Sequence, residues 1–129
     1  MQNHRVRLVT IAAQYSDIDA KISDVSEDVP PLVDYLIALG VYGDPLPHDY
    51  AVQYRMVLDV DGNSCSGRIL TLFASGALVL RSAVYSSFLD GYLQPYVHYV
   101  PVRMDYSDLV SSSAVRNNTI FYGIKYIII

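Results

Sequence analysis

The decapeptide Asp59-Val60-Asp61-Gly62-Asn63-Ser64-Cys65-Ser66-Gly67-Arg68 gathers the groups of this chain best suited to chemistry. Gly62 and Gly67 allow a ligand close to the backbone. Ser64 and Ser66 supply hydroxyl donors, and Arg68 supplies a planar fork that matches a diphosphate. If a helix follows, the unpaired N–H groups of its first turn and its dipole also favour phosphate. The competing reading is an ordinary strand-to-helix turn with a capping serine and a surface arginine. The segment is not a dinucleotide fingerprint, because Gly-x-Gly-x-x-Gly is absent. It is not a P-loop either, because no Gly-Lys-Ser/Thr follows.

Other constellations are weaker. Asp59 and Asp61 would share one face if their strand persisted, which suggests a divalent ion on a sugar nucleotide. The plainer alternative is one aspartate capping the turn and one accepting backbone N–H groups. An EF-hand fails on Ser64 and Leu70, which stand where glycine and the bidentate glutamate belong. His4, His48 and His98 form no metal spacing, and His98 reads as a packed strand residue. Cys65 lies near a helix start, which lowers a thiol pKa, but reads as a small buried residue. No nucleophile elbow is present. The 12 tyrosines read as core and rim.

The elements that must position this turn follow from the apolar pattern. Residues 54–62 (YRMVLDVDG) form a buried parallel strand ended by Asp-Gly. Ile69, Leu70 and Phe73 then repeat at helical spacing, with Gly76 as the stop. Residues 77–82 (ALVLRS) are a second buried strand, 84–93 a second helix weakened by Gly91, and 97–105 a third strand limited by Pro101. Ser107 or Asp108 caps a further helix start. Upstream, 5–13 (RVRLVTIAA) reads as a short strand, 14–30 as an acidic connector, and 31–39 as a helix closed by Gly40. The order β-α-β-α-β over 54–105 implies an α/β fold with a parallel sheet.

Composition bounds the function. At 129 residues the chain is one domain's worth, and 52% hydrophobic with 17% charged residues excludes a disordered acidic tail. A net charge of −4 with no basic run speaks against nucleic acid and anionic membranes. One cysteine excludes an internal disulfide framework. No apolar stretch reaches the ~18 residues of a membrane span. The short apolar run Leu8–Ala13 does not read as a signal peptide. Asn117-Asn118-Thr119 is a sequon, relevant only in a secretory compartment.

LDVDGNSCSGR (58–68), ASGALVLRS (74–82) and LQPYVHYVPVRMDYSDL (93–109), with a weaker RVRLV near the start, together resemble the glycosyltransferase family 90 domain. Its members include the capsule-associated CAP-type proteins, fungal in closest flavour, and the Rumi-type protein O-glucosyltransferases. The resemblance implies a metal-independent, inverting GT-B transferase with two Rossmann-like halves. Residues 1–110 resemble the carboxyl-terminal, donor-binding half, a partial Rossmann-like parallel sheet, and 111–129 look unrelated to it. Carried over, the nucleotide-sugar contacts are Gly62, Ser66 and Arg68, with no metal and no cofactor beyond a UDP-sugar donor. The acceptor would be a glycan or protein hydroxyl, and the compartment the secretory pathway. The family's catalytic carboxylate belongs to the first half, so no residue here is nominated as base. Cys65 and Ile69 stand where aromatics are usual, and YSSFL (85–89) lacks the usual acidic-aromatic pair. The resemblance therefore implies a fragment or truncated paralogue with little activity alone. The alternative is a non-catalytic nucleotide-binding or interaction module.

Overall fold

The computed structural model describes residues 4–23, 25, 30–62 and 64–114. Its centre is a three-stranded parallel sheet in the order β1 (Met56–Val60), β2 (Leu78–Ser82), β3 (Val100–Pro101). This is the α/β arrangement expected from residues 54–105. Leu58 pairs with Leu80, and Leu80 with Val100, so β2 lies in the middle. β3 has two residues; just beyond it the Val102 N–H still donates to the Arg81 carbonyl at 2.8 Å, so the N–H that Pro101 lacks faces away from β2, where an edge strand tolerates proline. The strand expected over 97–105 shrinks accordingly.

Side chains alternate across each strand and split the core in two. Met56, Leu58, Val60 and Leu80 enter the larger cluster, with Leu8, Val9 and Ala12 of helix α1 (His4–Ala12) and Leu36 of α2 (Pro30–Ala38). Tyr106 and Leu109, where α4 (Leu109–Ala114) begins, complete it. Val57 and Val79 face the other way, toward Leu72 of α3 (Ile69–Ala74) and Tyr54. Tyr54 follows a short 3-10 helix, His48–Gln53, and its hydroxyl donates to Asp19 at 2.9 Å. Asp19 thus ties the acidic connector to the second cluster. Asp24, Glu27 and Asp28 of that connector, and the sequon Asn117–Thr119, lie outside the described residues.

Two expectations about the elements are corrected. Residues 5–13 are a helix, not a strand: Leu8, Val9 and Ala12 are buried at helical spacing despite the β-branched composition. No helix forms over 84–93. Ser87 and Asp90 accept backbone N–H groups there, from Leu89 at 3.3 Å and Ser87 at 2.8 Å, which offers the chain an alternative to helical bonding. The second crossover, 83–99, is therefore a run of turns. α4 runs on through Ser111–Ala114, the first residues of the stretch read as unrelated to the family fold. Neither proposed residue caps that helix through its side chain: Ser107 bonds Asp105, and Asp108 accepts the Arg103 N–H at 2.9 Å.

Gly40 and Gly76 end α2 and α3 as expected, at φ +70° and +76°. Open space surrounds the Cβ position of Gly76, so only backbone strain opposes a side chain there. Gly76→Ala should lower stability by about 1 kcal/mol in urea unfolding. A value near zero would show that the turn relaxes freely.

Candidate functional site

The turn after β1 lies at the carboxyl ends of the strands, where ligands bind in open parallel sheets. Arg68 folds back over it, its Nη2 donating to the Val60 carbonyl at 2.8 Å. From α1, Arg5 Nε donates to the Asp61 carbonyl at 3.0 Å, and His4 Nε2 lies 3.2 Å from the same oxygen. Two guanidinium groups therefore meet at the end of β1. Burial, and then the charge of Arg5, push the Arg68 pKa down, against the pull of Asp59 and Asp61. Among the described residues no carboxylate forms an ion pair with Arg68. This is a half-buried cation with donor capacity to spare, suited to an anion.

The predicted residues Gly62, Ser66 and Arg68 share this turn but differ in role. A Cβ on Gly62 would sit 3.1 Å from Arg5 Nη2, so the missing side chain makes room for that arginine. Its N–H donates to the Ser64 carbonyl at 3.0 Å and is committed to the turn. Ser66 is buried, and its Oγ accepts the Arg68 N–H at 3.3 Å. Gly67 has open space around it. α3 has six residues, and its cap position is Arg68 without a side-chain capping bond. An anion at this turn would therefore meet the arginine fork more than a helix dipole. Cys65 is exposed rather than buried, and His98 is exposed in a turn, its Nδ1 accepting the Gln94 N–H at 2.9 Å.

The two aspartates do different jobs. Asp61, 2% exposed, accepts the N–H groups of Val84 and Tyr85 on one carboxylate oxygen, at 2.5 and 3.0 Å. It holds the second crossover to the first turn. Asp59, fully buried, is the register partner of Arg81 on β2. Where Val57 and Val79 end the apolar stripe, this charged pair begins. Arg81 Nε lies 3.7 Å from Asp59, and its Nη1 meets Asp90 at 2.7 Å. Its guanidinium also stands 5.5 Å from the Tyr99 ring centroid. Burial pushes the Asp59 carboxyl above its ordinary range, opposed by Ser66, Arg68 and Arg81. Neither of its oxygens meets a donor in good hydrogen-bond geometry. Among the described residues no three metal-ligating side chains converge.

Beside the turn, at the carboxyl ends of β2 and β3, lies a cavity of about 530 Å³. Arg81, Tyr85, Asp90, Tyr99 and Arg103 contribute to its wall. Sequence reasoning missed these residues. The available signal was an arginine in the buried strand ALVLRS, which requires a buried partner on the neighbouring strand.

No family model matches the chain. A segment of 59 residues, 45% of the chain, is 36% identical to Protein O-glucosyltransferase 2 of Danio rerio. Another comparison matches 60 residues, also 45%, at 38% identity to O-glucosyltransferase LpsA of Dichelobacter nodosus. These matches cover 12% and 19% of the two relatives. An uncharacterized protein, 179R of Invertebrate iridescent virus 6, matches over 74 residues at 28% identity, 51% of this chain and 6% of its own. The chain thus spans less than a fifth of the curated relatives it matches, and over short segments it is related to proteins named O-glucosyltransferases. No described helix is long and apolar enough to cross a membrane.

Proposed function

We propose that this chain is the donor-binding part of a CAP-type, family 90 glycosyltransferase of the GT-B kind. It binds a UDP-sugar at the turn after β1 and turns over little on its own. The observation that carries this reading is Arg68, half-buried beside Arg5 at the end of a parallel strand with no carboxylate partner among the described residues. A diphosphate placed there takes the free edge of the guanidinium, with the Ser66 hydroxyl below it. In transfer the same cation stabilises charge developing on the leaving UDP. The neutral part of the nucleotide sugar extends toward the adjoining cavity, which is joined to the turn through Asp61 and Val84.

A specific observation favours the alternative of a non-catalytic nucleotide-binding module. A transferase needs a base for the acceptor hydroxyl. Asp59 faces Arg81, Asp61 holds two amides, and Asp90 pairs with Arg81, so each carboxylate near the site already has a task. Both readings predict saturable UDP binding by calorimetry, with uridine at least about tenfold weaker because the diphosphate contacts carry the affinity. Absence of heat with UDP at millimolar concentration would overturn both. Release of UDP from a UDP-sugar by the chain alone would overturn the claim of low turnover. The readings separate on the flanking genomic sequence, which encodes the facing half only if the chain derives from a complete transferase.

A further inference from the structure

The second crossover, residues 83–99, contains no helix and buries little. Val84, Phe88, Tyr92, Tyr96 and Val97 are all about two-thirds exposed or more, at 66–78%. A crossover in a parallel sheet ordinarily packs an apolar face on the strands. This one is fixed mainly by polar contacts and by Tyr99 at its end. Its entry is held by Asp61, which accepts the Val84 and Tyr85 N–H groups. Its exit is held by Tyr99, whose ring stands against Arg81 and packs on the second core cluster, and the turn before it is closed within the segment by the Tyr96 N–H donating to the Tyr99 carbonyl at 2.7 Å. Tyr96 sits at φ +63°, a strained conformation for a residue with a side chain.

Between these anchors, among the described residues, the polar tie to the sheet is the Arg81–Asp90 ion pair at 2.7 Å. Its two members are unequal. The Arg81 side chain is 8% exposed and set in β2, with Asp59 beside it; the Asp90 side chain is 36% exposed and belongs to the crossover. Asp90 also accepts the Ser87 N–H at 2.8 Å, so the carboxylate that grips the sheet also shapes the turn behind it. Most of the cavity's lining comes from this same segment.

We propose that residues 83–99 form a lid over the cavity at the ends of β2 and β3, latched by Asp90 on the fixed post of Arg81. The lid swings between its anchored ends when the pair parts, and a segment with so little apolar burial opens well before the sheet does. The latch does not depend on what enters the cavity, so it stands or falls apart from the UDP-sugar reading.

Hydrogen exchange on the full chain tests it. In Asp90→Asn the amides of Asp90, Tyr92 and Leu93, which bond within the lid, should exchange about tenfold faster, while those of Leu58 and Leu80 keep their rates. Asp90→Glu, which keeps the charge, should restore part of the protection. A second measurement reads access to the cavity. Leu93→Cys places a thiol in the cavity wall, and exposed Cys65 is an internal reference for labelling by a maleimide. Adding Asp90→Asn should speed labelling at position 93 about tenfold relative to Cys65. Unchanged lid exchange and labelling would overturn the latch, and so would acceleration spread equally through the strands.

Discussion

Asp61→Ala should cost about 3 kcal/mol of stability in urea unfolding, whereas Asp61→Asn should cost about 1 kcal/mol. The difference follows from how the carboxylate is used. Both the Val84 and Tyr85 N–H groups donate to the same oxygen, Oδ2. The other oxygen is buried without a partner. Asparagine keeps one carbonyl oxygen for both donors and puts its amide where the idle oxygen was, so the geometry survives and the charge is lost. Alanine removes the acceptor altogether at a site 2% exposed. Two bonds to a charged acceptor, each worth about 1.5–3 kcal/mol, then go. Water reaching the exposed Val84 and Tyr85 offsets part of that loss. The backbone carbonyl of Asp61 meanwhile receives Arg5 and His4 from α1. One residue therefore joins α1, β1 and the second crossover, and a loss near 3 kcal/mol is a large share of the roughly 5–15 kcal/mol that holds an ordinary domain together. An alanine variant within 0.5 kcal/mol of the parent would show that the crossover does not rely on this carboxylate.

The part of the fold legible in the sequence is the part where local pattern and tertiary burial agree. The run through Val57, Leu58 and Val60, the Asp-Gly stop, and ALVLRS all read as buried parallel strands, and so they are. α1 was illegible as a helix because Val6, Val9, Thr10 and Ile11 carry strand propensity, while packing of Leu8, Val9 and Ala12 on the sheet decides the matter. The 84–93 segment failed the other way. Its apolar residues are spaced for a helix, but Val84, Tyr85, Phe88 and Tyr92 stay exposed and only Leu89 and Leu93 are half-buried, and Ser87 and Asp90 bond the backbone instead. That Gly62, Ser66 and Arg68 share one turn could be read because they are close in sequence. The Asp59–Arg81–Asp90 cluster could not, because it depends on the register of β1 against β2. The role of Gly62 also lay beyond reach, since it depends on an arginine 57 positions upstream.

Arg68→Ala should separate binding from stability. If Arg68 is the diphosphate ligand, its removal weakens UDP affinity by roughly 100-fold, the upper range for hydrogen bonds to a charged group. Arg68→Lys keeps the charge but not the planar fork, and should lose about tenfold. The unliganded protein should barely respond. Burial and the neighbouring Arg5 both disfavour the Arg68 charge in the folded state, while its bond to the Val60 carbonyl and the attraction of Asp59 and Asp61 favour it. Deleting the side chain removes opposing effects together, so unfolding stability should move by less than about 1 kcal/mol. A structural arginine predicts the reverse, a clear loss of stability with UDP affinity unchanged, and that result would remove Arg68 from the site. A guanidinium held close to a second one, without a carboxylate partner among the described residues, contributes little to the fold. A diphosphate bound as proposed would relieve the repulsion that Arg5 exerts on Arg68 while taking the open edge of the Arg68 guanidinium.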